Sequence, residues 1–211
     1  MLNSPPCAVA TNERLNSVTH LAGLALAVLG AAVLLRRSLV LADVRVMLSV
    51  LVFSAAMIGL YAASSIYHSA KGPRKPRYAK ADHCAIYLMI AGTYTPFGLQ
   101  TVHSVWGALM FVLVWAVAAA GICKEIGAIK NAKPSLAWYI AMGWVALAAA
   151  VPLLFALSGS AWLWLLLGGL FYTLGIPFYL NQHWAHAHGV WHLFVLGGTA
   201  AHFFAVLQLL T

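Results

Sequence analysis

The sequence is short of charge, and shortest of acid. Only 8% of its 211 residues are Asp, Glu, Lys or Arg, against roughly 25% in a soluble domain. Just four are acidic: Glu13, Asp43, Asp82 and Glu125. This scarcity excludes an ordinary water-soluble globule. Cysteine is scarce too, and Cys7, Cys84 and Cys123 are too few and too scattered for a disulfide framework or a thiolate metal site. There is no low-complexity tract and no internal repeat of the transporter kind. Residues 1–13 are mostly polar or small and do not form a signal peptide. The net charge of +8 does not point to nucleic acid, because the basic residues sit between apolar runs, where a membrane accounts for them.

What is abundant is hydrocarbon, 63% of the residues. Apolar runs cover residues 16–35, 46–68, 82–100, 104–123, 136–157, 161–180 and 189–210, each long enough to cross a core of roughly 30 Å. The runs are apolar on all faces and do not alternate, which predicts helices and not a barrel. The expected fold is an all-α seven-transmembrane helix bundle, one domain over residues 1–211, with residues 1–13 as a short cytoplasmic tail. If the N-terminus is inside, the inner segments hold nine basic residues: Arg14, Lys71, Arg74, Lys75, Arg77, Lys80, Lys124, Lys130 and Lys133. The outer segments hold three, Arg36, Arg37 and Arg45. That bias predicts N-terminus inside and C-terminus outside, in a cell membrane.

The polar groups inside the runs carry the chemistry. His188 and His192 open the last run at i and i+4, about 40° apart around a helix and roughly 6 Å apart along it, so both rings can reach one metal ion. An unpartnered ring in hydrocarbon costs several kcal/mol, so a shared partner is expected. His68 ends the second run, with Ser64 one turn deeper on the same side, although a membrane serine commonly bonds back to its own helix. Asp82 opens the third run, where its ordinary role would be to cap the helix. Glu13, Asn16 and His20 share one face of the first helix, a face expected to look into the bundle.

Other polar residues read more simply. His83 follows Asp82 by 100° and cannot face the same centre, so it reads as interfacial. Lys124 and Glu125 read as snorkelling and interfacial pairing at the end of the fourth span. His103, His183 and His186 fall in loops, and His202 lies about 15 Å deeper than His192, placed to pack against another helix. Gly92, Gly168, Gly169 and Gly175 are expected to allow close helix approach, and Pro96 and Pro177 to bend or end their spans.

With an inside N-terminus, the end of span two and the starts of spans three and seven lie on one side. His68, Asp82, His188 and His192 then converge. Three neutral imidazoles leave a tetrahedral Zn2+ one open position for water, with Asp82 placed to bond that water or a ligand's second nitrogen. Haem fits less well, since an i, i+4 pair approaches a metal from one side only; iron and manganese share the ligand type.

These residues resemble a known signature. Ser64-x3-His68, Asp82 and His188-x3-His192 are similar to the progestin and adipoQ receptor superfamily. The start Glu13-Arg14-x-Asn16-x2-Thr19-His20-x2-Gly23, the run from Asp82-His83 to Gly92-Thr93-Tyr94-Thr95-Pro96, and Tyr172-Thr173-Leu174-Gly175 resemble its bacterial branch, the hemolysin III family. The resemblance covers nearly the whole chain. It implies a seven-helix bundle with zinc held by His68, His188 and His192, and with Asp82 and Ser64 beside the metal. It also implies kinship with alkaline ceramidases, which hydrolyse a lipid amide, while family members carry links to red-cell lysis and to control of membrane energetics.

Three functions follow as expectations. The first is a zinc-dependent intramembrane hydrolase with Asp82 as proton relay, Ser64 at the developing oxyanion, and a lipid amide or ester entering between helices. The second is a lipid-sensing regulator with structural zinc. The third, a hemolytic pore, is opposed by the clustering of polar groups at one end. Membrane lipids are the expected partners.

Overall fold

The computed structural model describes residues 12–101, 104–127, 136–149, 159–181 and 183–211. Among them there are seven α-helices and no strand: α1 (Glu13–Leu41), α2 (Val44–Ser69), α3 (Lys75–Thr101), α4 (Val105–Glu125), α5 (Leu136–Ala149), α6 (Gly159–Leu180) and α7 (Ala187–Gln208). The all-α expectation holds. His103 and the end of the predicted 136–157 span lie outside the described residues.

Side chains set where these helices begin. The Asn12 side chain accepts from Leu15 N at 3.1 Å, Asp43 accepts from Arg45 N and Val46 N, and Ser104 accepts from Gly107 N, each satisfying an amide that the helix itself leaves unpaired. Ala42, in the left-handed region at φ 52°, closes α1 and lets α2 start almost at once. One expectation fails here. Asp82 does not cap α3, which begins seven residues earlier at Lys75, after a 3₁₀ turn over Gly72–Arg74. Pro76 falls in the first turn of α3, where the missing N–H costs nothing.

Five helices, α1, α2, α4, α6 and α7, are long and apolar enough to cross a membrane. The chain is therefore a multi-pass membrane protein. In α3 the middle is more polar, with Thr93, Tyr94, Thr95 and Pro96, and the reason lies in its position. It packs against α2, α4, α5 and α7, so its polar groups meet protein in place of lipid. The Thr93 hydroxyl donates to the Met89 carbonyl and that of Thr95 to Ala91, both at 2.9 Å. The helix runs on through Pro96 to Thr101, and α6 likewise runs on through Pro177, so neither proline ends its span.

The neighbours along the chain pack as antiparallel pairs, α1 on α2, α2 on α3 and α3 on α4, while α7 closes against both α1 and α6. The core between α1, α2 and α7 is filled by Leu34, Val50, Phe53, Met57, Val195, Ala205 and Val206. Close approach depends on small residues. Gly92 faces Ala56 of α2, Gly168 lies under His202, and Gly175 sits against Trp191 and Phe194. Gly169, grouped with these in the sequence, has nothing within 4 Å of where a Cβ would stand, because it falls on the other side of α6.

Gly121 lies directly beneath the fully buried Tyr87 ring. Gly121→Ala is expected to destabilise the bundle by about 1–3 kcal/mol through overpacking, read as a lower midpoint of thermal unfolding in detergent. Gly169→Ala, with open space around it, should leave the midpoint unchanged or raise it.

Candidate metal centre

The centre forms where the end of α2 meets the starts of α1, α3 and α7. His68 stands in the last turn of α2. The Asn181 side chain accepts from His183 N and Trp184 N, folding the connection that delivers α7, and Asn12 N donates to the Ala185 carbonyl. His188 and His192 then occupy the first turns of α7. Gly189 between them is required by packing, since a Cβ there would run into Leu15 and approach the Asn16 amide of α1. Without it, α1 could not come this close.

One ligand nitrogen from each of His68, His188 and His192 lies within 4.8 Å of the other two. The ring centroids are 5.1 Å apart for His68 and His188, 4.9 Å for His68 and His192, and 4.7 Å for the helical pair. His68 and His192 are buried and His188 is partly so. Nitrogens sharing one tetrahedral zinc would stand about 3.3 Å apart at ordinary bond lengths. Small ring tilts would close that gap.

The fit is better tested by the other ring nitrogen. His68 Nδ1 donates to Glu13 Oε2 at 2.6 Å, and the second oxygen of Glu13 accepts from Lys75 Nζ at 2.8 Å. His192 Nδ1 lies 3.0 Å from the Asn16 carbonyl and 3.0 Å from the Thr19 hydroxyl. A backbone carbonyl can only accept, so Nδ1 of His192 carries the proton and its Nε2 presents a bare lone pair. For His68, Nε2 is buried and has no hydrogen-bond partner among the described residues. A buried acceptor left unmatched costs about 1–3 kcal/mol. Imidazoles with Nδ1 occupied and Nε2 free are the form in which histidine binds a metal, so these residues fit a divalent ion of the zinc type.

Of the residues the sequence singled out, Ser64 and Asp82 also arrive here. Ser64 is 1% exposed, and the half-buried Asp82 carboxylate lies within electrostatic reach of its hydroxyl and of His68. The shared face of Glu13, Asn16 and His20 does look inward. His20 is no ligand: its ring stacks on His192 at 3.5 Å and 15°, edge-on to Tyr61, with both nitrogens unpartnered.

Other histidines go elsewhere. His202 packs on α6, over Gly168 and 5.5 Å from the Tyr172 ring. His186 meets Asn12 at 3.3 Å, and His183 is exposed. His83 turns away from the triad, as its 100° offset from Asp82 requires, and meets Glu125 Oε2 at 3.4 Å. The interfacial reading of Glu125 is overturned. Its side chain is 2% exposed, and its other oxygen accepts from the Tyr139 hydroxyl at 3.4 Å. Lys124, beside it, lies over the Trp138 ring at 5.5 Å. Thr19 as a partner of His192 has no signal in helical spacing alone, because its hydroxyl also donates to Leu15 and Asn16 carbonyls in the common way of a helix threonine.

Against known proteins, the family described as haemolysin-III related matches residues 8–203. The chain is 36% identical to Hemolysin-3 of Bacillus cereus over 197 residues, covering 92% of this chain and 90% of that protein. It is likewise 36% identical to the Hemolysin-3 homolog of Bacillus subtilis (strain 168), covering 92% of each. More distantly, it is 26% identical to the human monocyte to macrophage differentiation factor over 210 residues, covering 92% of this chain and 83% of that one.

Protein purified without added metal or strong chelator should carry about one divalent ion per chain, with zinc expected, and His68→Ala and His192→Ala should each lose it. Elemental analysis of the three proteins decides this. A metal-free wild type, as stable as both variants, would reduce the histidines to packing groups.

Proposed function

The chain belongs to the haemolysin-III related family, and on that premise we propose that it is a zinc-dependent intramembrane hydrolase of a lipid amide or ester. The observation that supports this is the placement of an acid near the triad: Asp82, within electrostatic reach of His68 and of the Ser64 hydroxyl. A metal needed only to fasten helices would not call for a carboxylate at its edge. Bound zinc would supply Lewis acidity and a more acidic water, leaving the proton traffic to the protein.

Asp82 accepts the proton of the attacking water as the new C–O bond forms, then returns it to the leaving amine or alkoxide as the scissile bond breaks. In this reading Ser64, its hydroxyl close to the carboxylate, donates to it and holds it in place. When Asp82 takes up the proton, that bond weakens and frees the serine hydroxyl to donate to the developing oxyanion, the role its position by the triad suits. Nearby apolar helix faces give an acyl chain a way in from the bilayer: Ile66 of α2 and Leu193 of α7 are both exposed. The basic residues of this end, Lys71, Arg74, Lys75, Arg77 and Lys80, place it at the inner surface of the membrane in this reading.

A second reading has its own support. The three ligands come from two helices, α2 and α7, that are distant in sequence and, among the described residues, do not otherwise meet through polar side chains at this end, so a metal there would clamp the bundle in a lipid-sensing regulator. The pore reading has less, since the core between α1, α2 and α7 is packed with Leu, Phe, Met and Val.

Zinc-loaded protein offered a broad panel of lipid amides and esters should release fatty acid, and Asp82→Ala should lower the rate by about 100-fold or more, as loss of a general base does. Release no higher than that of His192→Ala would overturn the hydrolase. Metal removal that lowers the unfolding midpoint, without any turnover in the loaded protein, would favour the clamp. A reporter on the C-terminus should score as outside; an inside score would reverse the assignment of the site to the inner surface.

A further inference from the structure

We propose that Glu13 is a positioning residue of the metal centre: anchored through one oxygen by Lys75, its carboxylate holds the His68 imidazole with Nε2 toward His188 and His192 and so sets the centre's metal affinity. This rests on the metal-centre reading above.

The contacts distinguish it from an ordinary ion pair. Glu13 is one of four acids in the chain and stands near a cluster of five basic residues, Lys71 to Lys80. A carboxylate present only to balance that charge would give both oxygens to cations. Here only one goes to a cation, Lys75 at 2.8 Å, and the shorter contact, 2.6 Å, goes to the nearly buried imidazole. The geometry also explains the orphaned atom. With Nδ1 bonded outward to α1, the ring has one free nitrogen left, Nε2, and it is the one buried without a partner. Lys75 itself is steadied over the Tyr67 ring at 5.2 Å, so the chain Tyr67–Lys75–Glu13–His68 runs through three helices before it reaches the triad.

The two outer partners are not equivalent. The acceptor for His192 is the Asn16 backbone carbonyl, which no side-chain substitution removes. The acceptor for His68 is a charged side chain, able to raise the donor strength of the ring as a neutral carbonyl cannot. Of the two buried ligands, His68 is therefore the one whose metal bond depends on a replaceable residue. Helix α1 supplies no ligand, yet its first two turns fix both rings.

The test uses full-length protein in detergent, with Zn2+ affinity measured by competition against a chelating indicator and Co2+ absorption as a reporter of ligand geometry. Glu13→Ala should weaken Zn2+ binding by about 10- to 100-fold and shift the Co2+ bands. Glu13→Gln keeps an oxygen that can accept from Nδ1 without the charge, and should fall between. Lys75→Met, which leaves every ligand and Glu13 in place, should weaken binding by less than Glu13→Gln. Should Glu13→Ala fail to fold, the other two variants answer alone. Zn2+ affinity within twofold of wild type in Glu13→Gln and Lys75→Met, with unchanged Co2+ bands, would overturn the proposal and leave Glu13 as a brace between helices. A wild type that binds neither ion would instead remove the metal centre itself.

Discussion

A neutral imidazole in an apolar bundle has two nitrogens to satisfy, one donor and one acceptor, and water is not there to do it. The inner part of this protein is arranged around that requirement. Nδ1 of His68 and Nδ1 of His192 both turn to α1, to Glu13 and to the Asn16 carbonyl. For α1 to serve both, it must lie between α2 and α7, and Gly189 must leave room for Leu15 and Asn16. The helix order therefore follows from more than apolar area. Hydrocarbon side chains such as Phe53 and Met57 would pack in several arrangements, whereas the two hydrogen bonds admit one.

Once α1 is fixed, the polarity of the bundle becomes lopsided. Glu13, Asn16, Thr19 and His20 sit at the start of α1, Ser64 and His68 at the end of α2, Lys75 and Asp82 near the start of α3, and His188 and His192 at the start of α7. The other half of the same helices is closed by Leu34, Val50 and Val206. The three histidines of the triad and the acids Glu13 and Asp82 therefore gather at one end of the bundle. For the proposed hydrolase, a site at the end of the bundle suits the junction between headgroup and acyl chain better than the hydrocarbon.

The sequence made part of this legible, for reasons that can be stated residue by residue. The i, i+4 spacing of His188 and His192 and of Ser64 and His68 is a property of one helix, and helical period reads it directly. The inward face of Glu13, Asn16 and His20 is legible in the same way. The partner that each face meets is not, because it depends on how two helices dock. Thus Glu13 could be placed on a face but not against His68, and Glu125 looked like a residue at a water boundary when it is buried between α3 and α5. From sequence, α3 starts at Asp82 because the basic residues from Lys71 to Lys80 read as loop, whereas Pro76 in a first turn and the central position of the helix allow those from Lys75 onward to be helical.

Asp82 and His83, consecutive and 100° apart on α3, divide the polar groups into two clusters of different character. In the cluster around His83, both oxygens of the Glu125 carboxylate have a partner, and the Tyr139 ring lies 4.5 Å from that of Tyr87, tilted by 45°. The demands of that carboxylate are met within the protein, which suits a fastening of α3, α4 and α5. In the cluster around Asp82, the outer nitrogens of His68 and His192 are satisfied while Nε2 of His68 is not. Buried acceptors are left unmatched only at a cost, and three ligand nitrogens converging within 4.8 Å concentrate lone pairs where they would repel each other unless a cation stood between them. This difference between the two clusters, set by adjacent residues of a single helix, favours the triad over Glu125 as the place of the proposed chemistry.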